Sequence, residues 1–213
     1  MSTAGSGDGR VADSGLMGIL LPRGWGWLMP DPSMLRETLE SVLPPGMDAD
    51  QHEQVVLMAI DELLALRAGL SPWQLAAIAA WTQPADIGGE EQVLTASLVM
   101  AVQYTGRPVT VEEIAAGLAG STLSTHVTGA TTVTLAQHGP ALRAETVWFP
   151  SSGGTGVRAW IYLTPVPALD ALALLVLATP DEPDWESFGP LFDAMADTFV
   201  VAPEIPESVT GDS

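Results

Sequence analysis

The chain has 213 residues, 47% of them hydrophobic and 15% charged, which is enough for one domain with a sizeable core. With 26 Asp and Glu against 7 basic residues, all Arg, the net charge is −19. Phosphate backbones and anionic lipid repel such a chain, so binding to nucleic acid or a membrane surface is disfavoured. Cys is absent, which excludes disulfide frameworks, thiolate zinc sites, iron–sulfur clusters and Cys nucleophiles.

Residues 1–14 are rich in Gly, Ser, Asp and Thr and are expected to form a disordered tail. The apolar stretch Gly15–Leu21 is short for a secretory signal, and Pro22-Arg23-Gly24 stops it. A longer apolar run, Ala171–Ala178, is far below the ~18 residues needed to span a bilayer. The expectation is a soluble, cytoplasmic protein with one domain over residues 15–202 and an acidic tail over 203–213.

The first predicted helix is Pro32–Leu43. Asp31 suits the N-cap and Pro32 the first helical position, where no N–H is needed. Leu35, Leu39, Val42 and Leu43 form its apolar stripe, and Pro44-Pro45-Gly46 ends it. The second predicted helix is Gln51–Ala68, with Asp50 and Glu53 spaced as a capping box. Trp73–Thr82 carries helix-favouring Ala but is short and flanked by Trp. It is read as a strand, as is Val93–Tyr104, the two joined by an acidic, hairpin-like loop.

Thr110 and Glu113 form a second capping box at the start of a short helix, Val111–Ala119, and Gly120 stops it. Four β-type runs follow: Thr131–Gln137, Ala141–Phe149, Val157–Val166 and Ala171–Thr179. The first three are separated by Gly139-Pro140 and by Ser151–Gly156, short links that favour antiparallel pairing. A last helix over about Asp184–Phe199 places Phe188, Leu191, Phe192, Met195 and Phe199 on one face, with Pro190 awkward inside it. This order predicts an α+β fold, an antiparallel β-sheet covered by helices.

Few residues point to chemistry. Ser151–Gly156 has the composition of a phosphate loop but lacks the P-loop Lys and joins two strands. His52, His126 and His138 are not at metal-pair spacing. His126, in the Thr- and Ser-rich stretch 121–132, is the His to watch, although no G-x-S-x-G elbow accompanies it. No catalytic residue, metal or cofactor is expected. Seven Trp is a high count. Trp25 and Trp27 share a face if residues 24–29 are extended, and Trp148 and Trp160 lie in adjacent β runs. Core packing explains them, and an aromatic-lined groove is the alternative.

The arrangement Gly24-Trp25-Gly26-Trp27, a helix, a hairpin containing Thr95–Val99, then Val157–Pro167, Leu172–Pro180 and a final helix with Leu191–Met195 resembles the PsbP-like αβα-sandwich superfamily. That superfamily includes LpqN-type lipoproteins, DcrB-type secretion-effector chaperones and a Ran-binding import factor. The resemblance covers about residues 16–202. It implies an αβα sandwich and a binding or adaptor role, including chaperoning of secretion effectors, and it transfers no site residue.

Two functions are therefore expected. One is a non-enzymatic binding or adaptor protein whose acidic or aromatic surface meets a protein partner, a basic one for the acidic surface, with Glu37, Glu40, Asp48 and Glu53 as contact residues. The other is a small-ligand protein or enzyme with a pocket near His126, Trp148 and Trp160. The acidic residues concentrate in two stretches: Asp31, Glu37, Glu40, Asp48, Asp50, Glu53, Asp61 and Glu62 in the first, and residues 181–207 in the second. The bland reading of this charge is that it keeps an apolar-rich chain in solution.

Overall fold

The computed structural model describes residues 10–13, 17–28, 36–37, 50, 53–54, 56–57, 73–87, 90–119, 127–148, 157–179 and 185–201. Three short strands come first: β1 (Arg10–Asp13), β2 (Met17–Leu21) and β3 (Trp25–Leu28). The long hairpin β4 (Gln74–Ile87) and β5 (Glu90–Tyr104) precedes helix α1 (Val111–Ala119). Then come β6 (Val127–Leu135), β7 (Gly139–Trp148), β8 (Val157–Val166), a 3-10 turn at Pro167–Leu169 and β9 (Ala171–Thr179). Helix α2 (Trp185–Asp197) and β10 (Val200–Val201) close the series.

All recorded strand pairs are antiparallel. They make a seven-stranded sheet in the order β3-β4-β5-β9-β8-β7-β6 and a three-stranded sheet in the order β1-β2-β10. Pro84 lacks a backbone N–H, and β3 pairs only with Ile78–Trp81 of β4, so Pro84 lies past the end of that ladder.

The alternation of side chains sorts the large sheet into two faces. One carries Trp25, Ala79, Leu98, Met100, Trp160, Tyr162, Leu175 and Leu177. It is covered by Phe188, Phe192, Met195 and Phe199, the first three from α2 and the last just beyond it, and by Met17, Ile19 and Leu21 of β2. Each large apolar side chain buried there contributes roughly 1.5–3 kcal/mol. On the other face Ile78, Val99, Ala101, Leu142, Ala144 and Leu174 are also buried. The central strands β5 and β9 thus have buried residues on both faces, which explains their nearly unbroken apolar runs.

The fold corrects the expected α+β sheet covered by helices, and with it the αβα sandwich that the resemblance implied. Strand dominates the described residues, and only two helices of defined extent occur among them. Helical spacing marks an apolar stripe but does not say how much of a sheet that stripe covers. Here α2 shares its face of the large sheet with a second sheet built from both ends of the chain. Residues 36–37, 50, 53–54 and 56–57 are helical, and the rest of the two early predicted helices lies outside the described residues. β1 falls inside the stretch expected to be an N-terminal tail and pairs with β2. The stretch from Pro203 onward lies outside the described residues. Among the described residues no helix is long and apolar enough to cross a membrane.

The acidic loop expected between Trp73–Thr82 and Val93–Tyr104 is largely strand, because β4 and β5 stay paired as far as Ile87 and Glu90. Val157–Val166, Ala171–Thr179 and Val111–Ala119 have the bounds the sequence predicts. The capping box at α1 is formed: the Thr110 N–H donates to Glu113 Oε2 (2.9 Å) and the Glu113 N–H to Thr110 Oγ1 (3.3 Å).

Candidate functional site

A polar cluster that joins strand to helix lies where β7 and β8 meet α2. Register places Arg143 beside Tyr162 and Glu145 beside Trp160, so the four side chains share one face. The Arg143 guanidinium lies 3.7 Å from the centre of the Trp160 ring. Its Nη2 donates to Glu145 Oε1 at 2.9 Å, and Nη1 is 3.8 Å from Asp193 Oδ1 on α2. Tyr162 O–H donates to the same Asp193 oxygen at 2.7 Å.

Beneath this polar layer the aromatic rings run in series. Trp160 meets Phe192 edge-on at 6.2 Å, Phe192 meets Phe188 at 5.3 Å, and Phe188 meets Trp81 edge-on at 5.8 Å. Gly189 lets α2 approach the sheet here. A Cβ at that position would stand 2.9 Å from Trp160 Cη2, inside normal contact.

The electrostatics limit what the cluster can do. Burial raises the Tyr162 phenol well above its ordinary value, and its hydrogen bond to Asp193 and that carboxylate's charge raise it further. Near neutral pH Tyr162 is a hydrogen-bond donor and not a base. Arg143, one-fifth exposed, is flanked by two carboxylates, so the group as a whole is negative and offers no cationic seat for an anion. The arrangement pins α2 to the sheet and leaves Asp193 and Asp197 exposed on the outer face of the helix.

A second polar point lies in the turn between β6 and β7. His138 stacks obliquely near Phe199, with centroids 5.5 Å apart. Burial lowers its pKa, partly opposed by a hydrogen bond to the Phe199 backbone. Its Nε2 is buried, with no hydrogen-bond partner among the described residues.

The residues singled out in the sequence are not gathered into one site. Glu37 is exposed on a helical residue. Glu53 is exposed too and is gripped by Arg36 through two hydrogen bonds of 2.6 and 2.9 Å. Glu40, Asp48 and His126 lie outside the described residues. Trp148 is the last residue of β7, opposite Val157, and its side chain is outside the described set. Trp160 is 6% exposed and sits between Arg143 and Phe192.

Arg143, Glu145, Tyr162 and Asp193 carry the cluster, and sequence reasoning missed them. The available signal was Arg143 and Glu145 two apart in a strand, on one face, with a Tyr in the next strand.

No family model matches the chain, and no curated protein matches it. Among solved structures it is similar to PA94, a protein of unknown function from Pseudomonas aeruginosa. The identity is 16%, over 63% of this chain and 89% of that one, with a TM-score of 0.44. A likeness that loose assigns neither fold nor function.

Proposed function

We propose that this is a non-enzymatic cytoplasmic binding or adaptor protein that captures a basic partner protein on an acidic surface. The observation that carries this reading is the exposure of Glu37, Asp50, Glu112, Asp193 and Asp197 on helical residues of a chain of net charge −19. Charge of one sign over a surface steers an oppositely charged partner and speeds its capture. The polar cluster favours binding over catalysis, because its Tyr is held protonated and its Arg is flanked by carboxylates.

The test is affinity capture from the native cell at low salt, with the intact protein as bait. A basic protein should be retained, should be released by added salt, and should be retained less by bait carrying Glu37→Gln and Glu40→Gln. Retention that ignores both salt and these substitutions would move the binding site to an apolar or aromatic surface.

A further inference from the structure

We propose that His138 is an acid-sensitive latch: as a neutral imidazole it holds residues 197–201 against the turn between β6 and β7, and as an imidazolium it lets that segment go, β10 included. The segment links α2 to the small sheet. Asp197 ends α2, and Val200 and Val201 pair with Gly18 and Met17 of β2. Few bonds hold it. Thr198 Oγ1 accepts the Leu20 N–H at 3.0 Å and donates to the Met195 carbonyl at 2.8 Å. Asp197 Oδ1 accepts the Ala136 N–H of the turn at 3.4 Å. The His138 ring lies 5.5 Å from the Phe199 ring and hydrogen-bonds to the Phe199 backbone. A two-residue strand and a few bonds put this link at the low-stability end of the fold, where opening is local and does not require global unfolding.

The switching follows from donors and acceptors. A neutral imidazole has one N–H and one acceptor nitrogen; an imidazolium has two N–H groups and no acceptor. Among the described residues the fold offers the ring the Phe199 backbone, while Nε2 is buried with no partner. A second proton on the seated ring is therefore buried without an acceptor, and the ring escapes that state by swinging out to water. Swinging out gives up both contacts with Phe199. The charged groups on the surrounding elements are otherwise engaged. Asp197 spends Oδ1 on the turn, and Asp193, Arg143 and Glu145 join in the cluster beside Tyr162. β1 brings Arg10 and Asp13, of opposite charge, and β2, β6 and β10 carry no charge. Burial sets the direction and holds the imidazole below its ordinary value. Opening uncovers Phe199 and Val201, both buried, and adds them to Leu20 and Val200, which are already exposed. Acid thus creates an apolar strip that the closed form lacks, whether or not the acidic surface captures a basic partner.

Hydrogen exchange of the full chain, expressed as protection relative to the unfolded chain at each pH, tests the latch. In the open form the imidazole titrates near its ordinary value of about 6.5, so protonation favours opening by up to about tenfold at about pH 5.5 and hardly at all at about pH 7.5. The Leu20 and Ala136 amides, whose acceptors are Thr198 and Asp197, should lose protection by up to that factor across this range, while the amides of β8 and β9 keep theirs. His138→Gln removes the titration and should hold both amides at the neutral-pH level throughout. His138→Arg is charged at every pH and should show low protection at these two amides already at neutral pH. Asp197→Asn and Asp13→Asn leave His138 in place and should keep the acid response. Four results would overturn the proposal: unchanged protection of Leu20 and Ala136 in the wild-type protein, an equal loss in His138→Gln, a loss that vanishes in either Asn variant, or a loss shared in step by β8 and β9. The last would mean global unfolding and no latch.

Discussion

Removing the Phe192 ring tests how α2 is held to the sheet. Phe192 is fully buried, and its ring meets Trp160 on β8 and Phe188 one turn earlier in the same helix. Truncating a buried Phe to Ala costs about 3–5 kcal/mol, from lost transfer energy plus the cavity left behind. The upper half of that range applies here. Two aromatic contacts are lost together, each worth about 0.5–1.5 kcal/mol beyond area. The cavity also cannot easily collapse, because Trp160 is clamped from above by Arg143. For a domain of this size 1 kcal/mol moves the melting temperature by about 2–4 °C, so a loss of about 4–5 kcal/mol in Phe192→Ala should lower it by about 8–20 °C. Thermal unfolding followed by circular dichroism and by Trp fluorescence reads this directly. Phe192→Leu, which keeps most of the apolar volume, should fall between the two. A Phe192→Ala protein melting within about 2 °C of wild type would mean that α2 is not packed on the sheet as described.

Three further outcomes follow from the same packing and from the turn at His138. Gly117→Ala in α1, where an added Cβ meets nothing within 4 Å, should raise stability by about 1 kcal/mol; Gly189→Ala should lower it, because crowding of Trp160 costs about 1–3 kcal/mol against the same propensity gain, and chemical denaturation of both compares the signs. Asp193→Ala strands the buried Tyr162 hydroxyl and should cost about 1–3 kcal/mol, whereas Asp193→Asn keeps an acceptor and should cost less, again by denaturation midpoint. Burial depresses the His138 pKa, so the unfolded chain takes up a proton first as pH falls; stability should drop below about pH 6.5 until the folded pKa is passed, and His138→Gln should flatten that part of a melting-temperature profile.

The legible parts of the fold were those whose signal is local. The Thr110–Glu113 pair announced the start of α1, and the Phe188–Phe199 spacing announced the buried face of α2. The short Gly-bearing links between the later strands announced antiparallel pairing. Layering was not legible, because it depends on contacts distant in sequence. Gly15–Leu21 taken alone reads only as a short apolar stretch, and the pairing of Met17–Leu21 with Arg10–Asp13 and with Val200–Val201 shows it to be part of a second sheet. The Ala-rich Trp73–Thr82 has helix propensity, and pairing along the whole of β5 overrides it. The polar cluster is a register effect. Arg143 and Tyr162 become neighbours only when β7 and β8 align, and Asp193 joins them from a helix 31 residues on from Tyr162.

The most direct measurement of the proposed function is the association rate of the captured partner as ionic strength rises from about 0.1 M to about 1 M, over which the Debye length falls from ~10 Å to ~3 Å. Capture by an acidic surface predicts a rate that falls steeply over this range and that is lower still, at low salt only, for the Glu37→Gln and Glu40→Gln protein. A rate indifferent to both salt and substitution would show that the carboxylates serve solvation alone.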